Sequence, residues 1–245
     1  MIHKVMCAVV LSYICVASMG SVASTATAHT VVDYYRQLPA TAFGGARYSI
    51  RQKKNYWVTT SMADFEIGIT VDIPNGYLRI HDEGTGGADL THELAVFKRA
   101  DGSTVVALSV IDLLASPKMH VTRFFDPGKL WKDVSASVLP KLDPYDLPGS
   151  RCIIKQVEAV SAIMRAKGKG ALSIAYALPR NGTTVYAGVF VPAVSSLLSV
   201  DALVDEEKTS IDEFIDCIGD VRVPLLWDRA KGMFSIGRPV RVKDR

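Results

Sequence analysis

The chain has 245 residues, of which 49% are hydrophobic, and it carries a formal net charge of +3. This hydrophobic content is sufficient for a buried core and argues against an intrinsically disordered chain. The small net charge excludes the concentrated basic face that nucleic-acid binding requires, so no nucleic-acid partner is expected. A chain of this length forms either one large domain or two small ones.

The N-terminal residues have the layout of a secretory signal peptide. Lys4 gives a positive start, residues 5–16 are mostly apolar, and small residues follow up to Ala26-Thr27-Ala28. This layout predicts a Sec-type signal peptide over residues 1–28 that is cleaved before His29. The mature protein is therefore expected in the periplasm or outside the cell.

The other apolar segments are too short to cross a membrane. A spanning helix needs roughly 20 apolar residues, and no segment after the signal peptide reaches that length, so no membrane span is expected in the mature chain. A lipoprotein modified at Cys15 is the alternative to a soluble exported protein. The bulky residues before Cys15 do not fit the usual lipobox, which disfavours that alternative.

Cleavage of the signal peptide changes the cysteine count. It removes Cys7 and Cys15 and leaves Cys152 and Cys217, an even pair in an oxidising compartment. The pair predicts a disulfide bond, and two separate buried thiols are the alternative. Neither residue belongs to a C-x-x-C motif, so a redox role or a zinc site is disfavoured. No metal and no other cofactor is expected.

The next segments predict an antiparallel meander. Apolar and polar residues alternate over residues 65–73, and Pro74-Asn75-Gly76 provides a turn into a returning strand at 77–81. Further strands are predicted at residues 93–98 and 104–111. A fifth is indicated at residues 120–125.

Helix signals appear after this meander. Asp126-Pro127 resembles an N-cap followed by proline at the first helical position. Leu130, Val134, Val138 and Leu142 fall on one helical stripe, so a helix is expected there, short or interrupted because of Pro140. Prolines and glycine at residues 144–149 indicate a linker.

The second half mixes helices and hairpins. Four apolar residues predict a helix that begins near Ser150, although a strand is also compatible with them: Ile153, Val157, Val160 and Met164. A hairpin is expected around residues 179–182, and a capping box at residues 210–213 predicts a second helix that ends at Gly219. Strands at residues 221–227 and 233–236 form a last hairpin.

These elements together predict an α+β protein with antiparallel β-meander sheets and a few short helices. The expected organisation is a signal peptide at residues 1–28, an N-terminal antiparallel sheet lobe at 29–143 and a C-terminal α+β lobe at 150–245. Two similar lobes and one continuous domain both remain open.

Candidate functional residues cluster in the loop region after the first hairpin: His81, Asp82, Glu83, Asp89, His92 and Glu93. Carboxylates and imidazoles in this number are able to hold a divalent metal or to pair an acid with a base. The intervening glycines are able to present backbone amides to an anion. Their spacing matches no known metal or phosphate motif, and the simple alternative is a mobile polar loop.

The sequence contains no local signature of a nucleophile, neither G-x-S-x-G nor S-x-x-K. The leading expectation is therefore an exported non-catalytic binding or envelope-associated protein, whose partner is an unknown protein or envelope component. The alternative is a secreted hydrolase-type enzyme that uses the His81–Glu93 loop, with or without a metal. The polar pocket that such an enzyme requires is testable in the structure.

Several segments together resemble a protein family. They are Asp33-Tyr34-Tyr35-Arg36-Gln37-Leu38-Pro39, Asn75-Gly76-Tyr77-Leu78, residues 93–98, Arg123-Phe124-Phe125 and the stretch from Trp131 to Leu139-Pro140. The chain resembles, over roughly residues 33–140, a family of uncharacterised secreted proteins of Gram-negative bacteria of the Bacteroidetes type. The resemblance implies export and a bacterial envelope setting, and it implies no activity and no active site.

Overall fold

The computed structural model describes residues 29–45, 47–83, 89–115, 118–147, 151–169, 171–195, 197–198, 203–218 and 221–241. The predicted signal peptide lies outside the described residues. So do the glycine-rich loop at 84–88, the predicted helix start at Ser150 and the predicted helix end at Gly219.

The first sheet is an eight-stranded antiparallel meander whose strands follow one another in chain order. Its strands are β1 (Arg51–Lys53), β2 (Tyr56–Thr60), β3 (Glu66–Asp72), β4 (Tyr77–Glu83), β5 (Asp89–Lys98), β6 (Thr104–Asp112), β7 (Met119–Asp126) and β8 (Lys132–Asp133). The predicted meander is confirmed, including the strand expected at residues 120–125. The alternation of buried and exposed side chains was the correct signal because each strand packs its two faces against different layers.

A short helix covers one face of this sheet. Helix α1 spans Val31–Gln37 and begins with a capping box, in which Thr30 accepts from the Asp33 amide and Asp33 accepts from the Thr30 amide. These hydrogen bonds, chiefly that with the Thr30 backbone, lower the pKa of Asp33. The face of the sheet that α1 covers is called the α1 face below.

The helix predicted after Asp126-Pro127 is wrong in its extent. The chain makes a 3₁₀ turn at Pro127–Lys129, and the short helix α2 spans only Ser135–Val138. Leu130 and Trp131 between them have positive φ values of 54° and 60°, which no helix accommodates. Leu130 is 95% exposed, and so it does not share the buried stripe that was predicted for it.

The second half forms a smaller sheet with helices. Its elements are α3 (Arg151–Ala166), β9 (Ile174–Ala177), β10 (Val185–Val189), α4 (Val191–Ser195), α5 (Asp205–Ile218), β11 (Val221–Asp228), β12 (Met233–Ile236) and β13 (Val240–Arg241). The second sheet has the antiparallel order β12-β11-β10-β9, and β13 also pairs with β11. The class is therefore α+β, as predicted.

Both predicted hairpins and both predicted helices of this half are present, with one correction. Helix α5 begins at Asp205, so the residues read as a capping box lie inside it. The Ser210 hydroxyl donates to the Glu206 carbonyl within the helix instead of capping its start.

Two hydrophobic clusters cover the two faces of the first sheet. On the α1 face, Leu78, Ile80 and Leu94 pack against α1 and the segment that follows it. On the opposite face, called the second-sheet face, Phe97 and Phe124 join a cluster that includes Trp227, Phe234 and residues of α3 and α5. This cluster contains residues of both predicted lobes, 29–143 and 150–245.

Helices α3 and α5 pack against each other and carry the two cysteines of the predicted bridge. Cys217 is disulfide-bonded. The side chain of Cys152 lies outside the described residues, so the pairing of Cys152 with Cys217 stays a prediction. No helix in the described part of the chain combines the length and the apolar character needed to cross a bilayer.

Candidate functional site

The six residues predicted as a site lie on the β4–β5 hairpin, but they do not form one cluster. The register pairs Asp82 with Leu90 and Glu83 with Asp89. Because side chains alternate along a strand, Asp82 and His92 lie on the α1 face, and the other four occupy positions of the second-sheet face. Within the described residues, no three His, Cys, Asp or Glu side chains come close enough to hold a metal ion.

Asp82 is fully buried on the α1 face. One of its carboxylate oxygens accepts from the Tyr48 hydroxyl at 2.9 Å and from the Met62 amide at 2.8 Å. Burial and the neighbouring carboxylate both raise the pKa of Tyr48, so Tyr48 remains a protonated donor. Asp82 thus fixes two chain segments that cover the sheet.

His92 is also fully buried and lies 3.2 Å, through Nδ1, from the Tyr35 hydroxyl. The Tyr35 oxygen itself accepts from the Tyr48 amide, so its proton points to His92 Nδ1 and the imidazole proton resides on Nε2. Nε2 has no hydrogen-bond partner, and burial lowers the pKa of His92 to about 4. The Phe43 and Tyr48 rings pack at 5.3 Å from the imidazole. Asp82 and His92 therefore hold α1 and the following segment on the sheet, in a closed aromatic environment.

On the second-sheet face, the hairpin's polar side chains pair with each other. His81 Nδ1 lies 2.7 Å from the Thr91 hydroxyl, and His81 Nε2 lies 3.3 Å from a Glu83 carboxylate oxygen. Glu93 accepts from the Tyr77 hydroxyl at 3.0 Å, and burial raises the pKa of its carboxyl group. These pairs occupy the hydrogen-bonding groups locally and converge on no shared point.

The polar row continues across the sheet to residues that the sequence analysis missed. The register aligns Glu93 with Ser109 and Ser109 with Thr122. Ser109 Oγ lies 2.8 Å from His120 Nε2, and the Thr122 hydroxyl donates to Ser109 Oγ at 3.1 Å. Burial lowers the pKa of His120 to about 4, partly opposed by a hydrogen bond with the Tyr176 backbone. The available signal was indirect, because these residues share a face only through pairing of three strands.

The Ser109–His120 pair has the spacing of a nucleophile and its base. Ser109 is fully buried, however, so its hydroxyl does not reach a substrate. His120 binds the second sheet through Tyr176, and Ser109 and Thr122 fix its ring. The pair therefore joins β6, β7 and β9 instead of performing acyl transfer.

His120 also borders a cleft of about 270 Å³ between the two sheets, called the inter-sheet cleft below. The first sheet contributes Ile111, Leu113 and His120, and the second contributes Ala175, Ala177, Tyr186, Gly188 and Arg222, with residues 189–192 closing one end. The Phe190 ring meets the His120 ring edge-on at 5.4 Å. The cleft is thus an apolar slot with a few polar groups, the usual composition of a small-molecule site.

The β9–β10 hairpin forms one wall of this cleft because it crosses the first sheet. Tyr176 at one end bonds His120 on β7, and Arg180 in the hairpin turn contacts Asp72 on β3 at 3.2 Å. Strands β4, β5 and β6 lie between β3 and β7, so the hairpin extends over them. A Cβ atom at Gly188 would lie only 3.1 Å from Arg222 Nη1, so glycine allows Arg222 to lie against the strand.

Comparisons with known proteins support the fold and leave the function open. No protein-family model and no curated protein matches the chain. The chain is similar to a solved structure of a domain of an uncharacterized protein from Porphyromonas gingivalis W83, with a TM-score of 0.50 and 12% sequence identity. The match covers 86% of this chain and 99% of that one. At this identity the likeness shows the fold alone. That organism belongs to the Bacteroidetes, whereas membership in the secreted family resembled by the sequence stays a prediction.

Proposed function

We propose that this protein is an exported, non-catalytic binding protein that holds a small, mostly apolar molecule in the inter-sheet cleft. The observation that carries the proposal is the cleft itself, whose two walls come from different sheets and are mainly apolar. Such a ligand buries its body against Ile111, Leu113 and Ala177. It offers a hydrogen-bond acceptor to Arg222, which has five N–H donors.

The size of the cleft narrows the expected partner from a protein or envelope component to a small molecule. A cleft of about 270 Å³ is at the lower end of the range for small-molecule sites. His120 at its border is neutral at physiological pH because its pKa is near 4. A neutral ring beside apolar walls favours binding of an apolar group over a charged one.

The alternative of a hydrolase acting through the His81–Glu93 region has no supporting geometry. Asp82 and His92 are enclosed on the α1 face, and His81 and Glu93 pair locally on the other face. The separation leaves no acid and base facing one reacting group. We therefore propose binding alone.

Filling the cleft tests this function. The probe is anilinonaphthalene sulfonate, an apolar fluorophore with an anionic acceptor group, titrated into the protein comprising residues 29–245. We expect saturable one-site binding, and Ala177→Leu should weaken it about tenfold or more because the larger side chain occupies the cleft. Ala159→Leu, an exposed site on α3, is the matched control. Equal affinity in both variants contradicts the proposal.

Export and the disulfide bond belong to the same proposal. The protein purified from periplasm or culture medium should begin at His29. Its non-reduced peptide map should contain Cys152 joined to Cys217. Mass spectrometry measures both properties at once, and an intact N-terminus at Met1 or two alkylated thiols in the unreduced protein would reject the respective part.

A further inference from the structure

A second cavity, of about 500 Å³, lies at the opposite end of β6 from the inter-sheet cleft. Three chain segments meet there: the β5–β6 turn at residues 99–103, the segment after β7, and the β11–β12 turn at residues 229–232. The Ala100 amide donates to the Arg229 carbonyl at 2.9 Å, and Trp227 Nε1 donates to the Lys98 carbonyl at 3.0 Å. The two sheets are therefore joined at this cavity, which is called the turn cavity below.

Arg99 is the fixed group of the turn cavity. Its Nη1 donates to Asp126 Oδ2 at 3.2 Å and to Ser103 Oγ at 3.1 Å, and Asp126 is only 3% exposed. A Cβ atom at residue 232 would lie 2.6 Å from Arg99 Nε, so Gly232 provides the space in which the Arg99 side chain lies. No described residue accepts a hydrogen bond from Nε or Nη2. The guanidinium is thus held from one side, with donors remaining on another.

Two flexible cations border the same cavity. Lys129 Nζ lies 3.6 Å from Asp126 Oδ2, and Lys231 Nζ lies 3.6 Å from Asp228 Oδ2. Their side chains are 66% and 73% exposed, so these ion pairs are weak and exchange readily with a ligand. The lining contains three cationic groups and two carboxylates, those of Asp101 and Asp126. The Asp101 carboxylate is engaged by the Ser103 amide at 2.9 Å.

We propose that the turn cavity is a binding site for a phosphoryl group. Arg99 presents directed N–H donors, Lys129 and Lys231 close on the group as mobile point charges, and the Ser137 hydroxyl lies in the same lining. Several cations around one point suit a tetrahedral oxyanion, whose oxygens point in different directions. The cavity is larger than a phosphate ion, so the group belongs to a phosphomonoester or to a lipid headgroup.

Calorimetric titration tests this site with three probes: inorganic phosphate, glycerol phosphate, and vesicles of phosphatidic acid in phosphatidylcholine. We expect saturable binding of glycerol phosphate that weakens as sodium chloride is raised, because the lysines are exposed to screening. Binding of the vesicles but not of glycerol phosphate assigns the group to a membrane lipid. The reverse assigns it to a soluble ester, and both results support a phosphoryl site.

The double variant Lys129→Gln with Lys231→Gln should weaken binding about tenfold or more, because two charge-assisted contacts are lost. The double variant Lys155→Gln with Lys208→Gln, on α3 and α5, removes the same charge elsewhere and is the control. Lysines are chosen over Arg99 because Arg99 pairs with a buried carboxylate. Equal weakening in both double variants, or no saturable binding of any probe by the wild type, overturns the proposal. Binding of anilinonaphthalene sulfonate should be unchanged in these variants, so the two sites are tested separately.

Discussion

The two faces of the first sheet use similar residues for different purposes. Each face buries a histidine whose pKa is near 4, His92 on the α1 face and His120 on the second-sheet face. On the α1 face, one helix and one segment pack closely over the histidine and aromatic rings enclose it. On the other face, the second sheet meets the first through its β9–β10 hairpin and turns, and the two cavities remain between them.

The difference shows how the covering layer decides whether a polar residue is available. A local segment follows the sheet surface side chain by side chain and leaves little space. A second sheet is a stiffer body and contacts the first along limited lines, so spaces remain at both ends of β6. Polar groups beside those spaces are able to meet a ligand, whereas Asp82 and His92 are not.

The largest expected effect is on the α1 face. Replacing Asp82 with Ala leaves the Tyr48 hydroxyl and the Met62 amide without their acceptor in a buried site. We expect the free energy of unfolding to fall by about 3 kcal/mol or more, because each lost bond involved a charged acceptor. Urea denaturation followed by circular dichroism measures the change.

Asp212→Ala, at an exposed position of α5, is the control for Asp82→Ala and should change stability little. The affinity for anilinonaphthalene sulfonate should be unaffected in the folded Asp82 variant, since the cleft lies on the other face. An unchanged unfolding midpoint for Asp82→Ala would show that the α1 face is not the closed, fully paired region described above.

A smaller effect is expected from pH, and it involves both faces. An unfolded histidine binds a proton near its ordinary pKa of 6.5, whereas the folded His92 and His120 bind one only near pH 4. The unfolded state therefore holds more protons between these values, and the free energy of unfolding falls as pH is lowered. From pH 7 to pH 5.5, each histidine should contribute a loss of about 1 kcal/mol.

Single variants separate the two histidines. His92→Gln and His120→Gln should each remove about half of this histidine contribution to the pH dependence, measured by urea denaturation at several pH values. Glu93, whose pKa is raised by burial, titrates in the opposite sense, so the difference between variant and wild type is the relevant quantity. A pH dependence identical in wild type and both variants contradicts the burial of neutral imidazoles.

Much of the fold could be predicted from local sequence because its elements are local. The alternation at residues 65–73 and the turn at Pro74-Asn75-Gly76 required no knowledge of distant residues. The helix expected after Asp126-Pro127 failed because Trp131 packs on the α1 face and Val134 packs on the other, a division that spacing alone does not reveal. The candidate site failed as one cluster for a related reason, since alternation along β4 and β5 separates Asp82 from His81.

The sequence by itself determined the period of each strand, the turns between them and the α+β class, because these depend on neighbours a few residues apart. It also predicted the export signal, which remains to be tested. Only the tertiary structure decided which polar residues face a cavity. Ser109 and His120 meet through strand pairing, and the turn cavity brings Arg99 and Lys231 together from opposite halves of the chain. Such contacts depend on how two sheets pack, and that packing is set by the whole core instead of by any one segment.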